Sequence, residues 1–184
     1  MKKDYLTLIC CYTVRTFIAS PVARTEGIED LLSQVSLLPS VRVPGTRDLH
    51  LTYLFLGDIG ERDVKSASEA VKAISIRKVV SGFSGITAFP DLSNPRVLVL
   101  IFDNPGILEI YKRISDLLPG FATRSRNFVP HLTIGRFGRD RINPHIEKLK
   151  VPDERVTIDR VCLFRSTLTP SGPIYEEIDS VQLI

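Results

Sequence analysis

The chain has 184 residues, 43% hydrophobic and 24% charged, which suits one compact domain or two small lobes sharing a core and excludes a largely disordered chain. A net charge of +3 does not single out nucleic acid, and three cysteines (Cys10, Cys11, Cys162), two of them adjacent, argue against a disulfide framework or a zinc site. The apolar run at 6–12 is too short for a membrane span and lacks a cleavage site, so the chain reads as cytoplasmic, with reduced thiols and no membrane partner.

Residues 14–19 (VRTFIA) read as a strand, and Ser20-Pro21 then supplies a cap followed by proline, predicting a helix start. Ile28, Leu31, Leu32 and Val35 form that helix's apolar face, and it ends before Pro39. Residues 49–56 are the next strand, closed by Gly57-Asp58. A second helix follows with Val64, Ala67, Val71 and Ile74 on its apolar side. Strands at 84–89 and 97–102 flank the turn residues DLSNPRV. Asn104-Pro105 opens a third helix carrying Leu108, Tyr111, Ile114, Leu117 and Leu118, and Pro119-Gly120 ends it. Residues 131–134 form a strand, Asn143-Pro144 starts a short helix, and 156–164 form a strand before a turn at LTPSGPI.

The order of elements in the first half returns in the second. Val97 follows Val14 by 83 residues, and His131 follows His50 by 81. This predicts an α+β fold of two pseudo-symmetric lobes from an internal duplication, with antiparallel-rich sheets flanked by helices. A pseudo-twofold axis makes it natural for His50 and His131 to face each other.

Each of these histidines opens a His-Leu-Thr triplet on a strand, so His50 and Thr52 share one face, as do His131 and Thr133. A lone strand histidine is ordinarily a core or surface residue. Two of three histidines in the same triplet, at matching places in two halves, point instead to a joint site. The pair supplies an imidazole to activate water, another to protonate a leaving oxygen, and two hydroxyls for phosphoryl oxygens. No carboxylate or Cys/His cluster near the triplets forms a metal-ligand set. His145 lacks a Thr partner and reads as a surface residue. Arg124, Arg126, Arg136, Arg139 and Arg141 crowd around the second triplet and would attract phosphates. Strict alternation puts Arg136 opposite His131, so its entry into the site requires a bend or bulge at Gly135. Phe55 and Phe137 are core residues by default and base-stacking candidates otherwise.

RDLHLTYLFLGDI and FVPHLTIGRF resemble the two H-x-T-x motifs of the 2H phosphoesterase superfamily. Within it the chain most resembles the RNA 2′,3′-cyclic phosphodiesterases, historically called 2′-5′ RNA ligases. VRTFIAS, ITAFPDLSNPRVLVL and LFRSTLTPSGPIY are similar to that family's first strand, mid-chain hairpin and C-terminal hairpin, so the likeness runs from Val14 to Tyr175. Residues 1–13 precede the family's usual start and read as an extension, leaving 14–184 as a single bilobal domain. The resemblance implies a central cleft holding both motifs. It implies hydrolysis of RNA terminal 2′,3′-cyclic phosphate to a 2′-phosphomonoester without metal or cofactor, with 2′-5′ ligation as the reverse. His50 would be the acid and His131 the base, Thr52, Thr133 and Arg136 would bind the phosphate, and the protein would be a monomer acting on RNA ends, tRNA fragments among them. A bell-shaped pH profile near the ordinary imidazole value of about 6.5 is expected. The alternatives are a related enzyme for 2′-5′ oligonucleotides or small cyclic nucleotides, and a non-catalytic module that binds RNA ends. Tyr53 replaces the family's usual aliphatic residue and belongs to packing.

Overall fold

Alternating apolar residues build the long strands, and apolar residues at helical spacing build the helices. In chain order the elements are β1 (Val14–Pro21), α1 (Glu26–Ser36), β2 (Val41–Arg42), β3 (His50–Ile59), α2 (Glu61–Lys72), β4 (Val79–Ser81) and β5 (Phe83–Phe89). They continue with β6 (Val97–Phe102), α3 (Gly106–Leu117), α4 (Pro119–Ala122), β7 (His131–Phe137), a 3-10 turn (Ile146–Lys148), β8 (Val156–Ile158), β9 (Arg160–Thr169) and β10 (Gly172–Gln182). The computed structural model describes residues 13–45, 48–122, 128–138, 146–170 and 172–184.

The architecture is α+β. Eight strands form one antiparallel sheet in the order β10-β9-β1-β3-β7-β6-β5, with β2 added to β7, while β4 and β8 form a separate pair. What the sequence read as lobes are two halves of this one sheet. They meet where Leu51 of β3 pairs with Leu132 of β7, each the middle residue of its triplet. An antiparallel pair in which a residue faces its own counterpart has a local twofold axis between the strands. The neighbours obey it: β1 flanks β3 as β6 flanks β7, and β9 lies beyond β1 as β5 lies beyond β6. The helices are exchanged across the axis, α1 packing on β7 and α3 on β3. Pairing also corrects the offset. Ala19 faces Thr52 and Val99 faces Thr133, so the matching positions of the outer strands are 80 residues apart, not 83.

Several boundaries differ from the sequence reading. Helix α1 begins after Thr25, not at Ser20-Pro21, because Ser20 and Pro21 still pair with Leu51 and His50. Strand β3 runs past Gly57, which adopts φ 81°, a conformation glycine takes without a Cβ clash. On α3 the buried face is Ile107, Ile110 and Ile114, leaving Leu108 44% exposed. Residues 156–164 split at Asp159 into β8 and β9, which belong to different sheets. Strands β2 and β4, with two and three residues, are too short to show a period. The helix start at Asn143-Pro144 lies outside the described residues, as do residues 1–12.

The core lies on the helix-covered face of the sheet, with Leu51, Leu132, Leu54, Ile134, Ile28, Leu31 and Ile110 buried together. Tyr53 is buried there too, its hydroxyl hydrogen-bonded with Ser20 Oγ at 2.9 Å, while Ser20 Oγ donates to the Arg160 carbonyl at 2.6 Å. Cys162 is a buried free thiol, its pKa pushed up to about 12 by burial, and it packs as a small apolar residue.

The start of α1 is capped from the far end of the chain. Thr25 makes no side-chain cap to the helix and instead donates its hydroxyl to the Glu154 carboxylate, which also accepts from the amides of Gly27 at 3.3 Å and Ile28 at 3.1 Å. An acceptor on the free N–H groups of a first turn stabilises a helix by about 1–2 kcal/mol. Glu154→Ala is therefore expected to lower unfolding free energy by about that amount in urea titrations, and Glu154→Gln by less.

Candidate active site

Strict alternation along β3 and β7 fails at an equivalent place in each, and β3 has a second register shift at Leu56. Ile18 faces Leu54 and Ala19 faces Thr52, so Tyr53 is an extra residue; Leu98 faces Gly135 and Val99 faces Thr133, so Ile134 is another. Both bulges follow the triplet threonine directly. Each re-phases its strand, so that Phe55 joins His50 and Thr52 on the open face and Arg136 joins His131 and Thr133. Gly135 fits this bulge because a Cβ there would sit 2.7 Å from Val41 and 3.1 Å from Val35, and its absence lets α1 and β2 close over the strand.

All these side chains line one cavity of about 560 Å³, which His50, Thr52, Phe55, His131, Thr133 and Arg136 share with Phe17, Phe89 and Tyr175. The Leu51–Leu132 register sets His50 across from Thr133 and His131 across from Thr52. Each imidazole is held in the same way: Nδ1 of His50 lies 2.6 Å from the Asp48 carbonyl, and Nδ1 of His131 lies 2.7 Å from the Val129 carbonyl. A carbonyl only accepts, so Nδ1 carries the proton in both rings and Nε2 is free for proton transfer. The surroundings are less alike. His50 packs in a triangle of rings with Phe17 and the edge-on Tyr175, all three centroids 5.1 Å apart, whereas His131 meets Phe89 edge-on at 5.0 Å.

Burial lowers the pKa of His50 to about 4, against the pull of the Asp48 carbonyl, with the Arg136 and His131 charges adding to the depression. His131 is lowered too, by burial and then by Arg136. Burial raises the Tyr175 hydroxyl, with the nearby Arg136 charge opposing the rise. The site is thus two neutral imidazoles, two hydroxyls and one guanidinium on a partly dry wall, a set suited to an anion that needs a proton taken at one point and given at another.

Comparison with known proteins identifies the family. The model of the 2′-5′ RNA ligase superfamily matches residues 39–169. This chain belongs to the 2′-5′ RNA ligase superfamily. An RNA 2′,3′-cyclic phosphodiesterase of Archaeoglobus fulgidus is 31% identical over 177 residues, covering 90% of this chain and 98% of the relative. One of Methanocaldococcus jannaschii is 32% identical over 174 residues with the same coverage. Among solved structures, a Thermus thermophilus protein superposes with a TM-score of 0.73 at 20% identity, covering 91% of this chain and 97% of its own. Escherichia coli LigT complexed with phosphate gives 0.71 at 19%, covering 94% and 98%.

In this member of the superfamily the five residues singled out by sequence, His50, His131, Thr52, Thr133 and Arg136, meet at one cavity. Arg124, Arg126, Arg139, Arg141 and His145 lie outside the described residues. Phe55, 66% exposed, faces the cavity, while Phe137 packs against the core. Tyr175 and Phe17 escaped the sequence reading: Tyr175 arrives from the β9–β10 hairpin, and no periodicity links it to the triplets. Among the described residues, no group of three His, Cys, Asp or Glu is placed to hold a metal ion, and no helix is long and apolar enough to cross a membrane.

The depressed imidazoles set a pH dependence of stability. Between the unfolded value near 6.5 and the folded value near 4 for His50, the unfolded chain binds more protons than the folded one. The contribution is therefore fully present above pH 6.5 and is lost as pH falls toward 4. Urea midpoints measured from pH 7.5 to 4.5 should drop more steeply for the original protein than for a His50→Asn/His131→Asn variant.

Proposed function

We propose that this chain hydrolyses the terminal 2′,3′-cyclic phosphate of RNA to a 2′-phosphomonoester, with His50 and His131 as the proton-transfer pair. The observation that carries the reading is the register of the two triplets, which puts both imidazoles and both threonine hydroxyls on one face of the sheet. The names and the high coverage of the relatives from A. fulgidus and M. jannaschii supply the substrate class.

In this mechanism the cyclic phosphate lies between the two Nε2 atoms. Thr52, Thr133 and Arg136 bond its non-bridging oxygens, and the exposed face of Phe55 carries the base. One imidazole takes a proton from water as the water oxygen bonds to phosphorus. The P–O3′ bond breaks, and O3′ takes its proton from the other imidazole, giving the 2′-phosphate and a 3′-hydroxyl. Following the family resemblance, His131 is the base and His50 the acid. His50 is uncharged at neutral pH in the free protein, so it acquires its proton when the anionic phosphate supplies the missing counter-charge. A 2′-5′ ligation follows the same path with a 5′-hydroxyl entering in place of water, its oxygen bonding to phosphorus as the P–O3′ bond breaks; run backward, O3′ attacks and the 5′-hydroxyl leaves, which cleaves the 2′-5′ linkage.

The decisive assay uses a short RNA ending in a 2′,3′-cyclic phosphate, in EDTA, with the phosphate position of the product identified. The original protein should give only the 2′-phosphate, and His50→Ala and His131→Ala should each lose at least about a hundredfold in kcat/KM while unfolding at an unchanged urea midpoint. Turnover of 2′-5′ linkages or small cyclic nucleotides alone would move the substrate. Tight binding of the RNA end without turnover of any of these would replace the enzyme by a binding module.

Both free-protein imidazole values lie below 6.5, so the state with one proton shared between the two rings is most populated on the acid side of that value. The kcat/KM profile, which reports the free protein, should peak below pH 6.5. In residual activity, loss of the alkaline limb in His50→Ala and of the acid limb in His131→Ala supports the stated assignment; the reverse pattern exchanges acid and base.

A further inference from the structure

We propose that Arg42 and Arg136 form a second anion site beside the catalytic cavity, which takes the phosphate on the 5′ side of the terminal nucleotide. The inference rests on the reading of the site as one for RNA ends. Among the described residues strand β2 pairs only with β7, and its register sets Arg42 directly opposite Arg136. Like charges directly opposed across an antiparallel pair are unfavourable. Among the described residues no carboxylate lies within ion-pair distance of either guanidinium to relieve them. The repulsion is held in place by the fold, and a bound anion removes it.

Both arginines line a second cavity of about 160 Å³, together with Gly45, Asp48 and the hairpin residues Gly172 and Pro173. The Asp48 carboxylate also lines this cavity, where its Oδ2 accepts from the Gly45 amide at 3.1 Å, so the two guanidiniums outnumber one carboxylate. His50, Thr133, Arg136, Pro173 and Tyr175 belong to both cavities, so the small one opens directly beside the scissile phosphate. The lining assigns the contents. The cavity of about 160 Å³ presents two guanidiniums, Arg42 and Arg136, which suit a phosphoryl group. The neighbouring cavity of about 560 Å³, with Phe55 and Phe89 in its lining, takes the nucleoside. In any RNA ending in a cyclic phosphate, the nearest other anion is the phosphate on O5′ of the same nucleotide.

The test compares a nucleoside 2′,3′-cyclic phosphate bearing a 5′-hydroxyl with its 5′-phosphorylated counterpart, on the original protein, Arg42→Gln and Arg42→Lys. The 5′-phosphate should raise kcat/KM of the original protein about tenfold, an advantage that shrinks with added salt. Arg42→Gln should lose this gain while turning over the 5′-hydroxyl substrate within about twofold of the original rate, and Arg42→Lys should recover part of it. Calorimetric titration with nucleoside 2′-phosphate and nucleoside 2′,5′-bisphosphate gives the same comparison without chemistry. Equal binding of these two ligands by the original protein, or an equal loss for both in Arg42→Gln, overturns the anion site. Preferential binding of the bisphosphate through Arg42 with no turnover of either cyclic substrate keeps the anion site and overturns the hydrolytic reading alone.

Discussion

Everything at the site depends on the pairing of Leu51 with Leu132. These two leucines are fully buried, and each turns its triplet's histidine and threonine to the opposite face of the sheet. Burial of a leucine side chain contributes about 1.5–3 kcal/mol, so the register is enforced by the core and not by the polar groups that use it. A slip of one residue on either strand would send an imidazole into the core and a leucine into the cavity. The exchanged helices reinforce this: α1 closes over β7 and α3 over β3, so neither triplet is backed only by its own half.

The same frame then carries unlike walls. The two bulges fall at equivalent positions and bring Phe55 forward on one strand and Arg136 on the other. Hairpin β9–β10 adds Tyr175 against His50, and β2 adds Arg42 beside Arg136. A symmetric constellation of imidazoles and hydroxyls is thereby placed between an aromatic side and a cationic side. Such a site can distinguish the two ends of a nucleotide even though its proton-transfer groups come as a matched pair.

The sequence showed the parts of this that follow from periodicity. His50 and Thr52, and His131 and Thr133, share faces because successive strand residues alternate, and the near-equal spacing of the triplets exposed the repeated order of elements. What alternation could not show is where it breaks. Tyr53 and Ile134 are ordinary apolar strand residues, and only pairing with β1 and β6 reveals them as extra; the side taken by Arg136 stayed conditional for that reason. Helix α1 was placed too early because Ser20-Pro21 has the chemistry of a helix start, yet Ser20 is held in the sheet by Tyr53 and the Arg160 carbonyl. The true start is fixed by Glu154, a contact across more than a hundred residues that no local pattern encodes. Tyr175 and Arg42 were hidden likewise, since β10 and β2 reach the cavity only through the topology of the sheet.

The electrostatics give the assembly a direction. Phe17 and Tyr175 strip water from His50, and Arg136 stands near both rings, so burial and the guanidinium together oppose an imidazolium more than the backbone carbonyls and the Asp48 charge favour it. Without a ligand the wall therefore holds guanidinium charge and neutral bases. A bound phosphate reverses the balance at once. It offsets Arg136, and it attracts a proton to whichever imidazole lies nearer the departing oxygen. The acid is then created by the substrate's own charge, at the place where that charge is bound. A neutral ester of the same shape would meet a site unable to donate a proton, which makes anionic phosphodiesters the natural class of substrate for this wall.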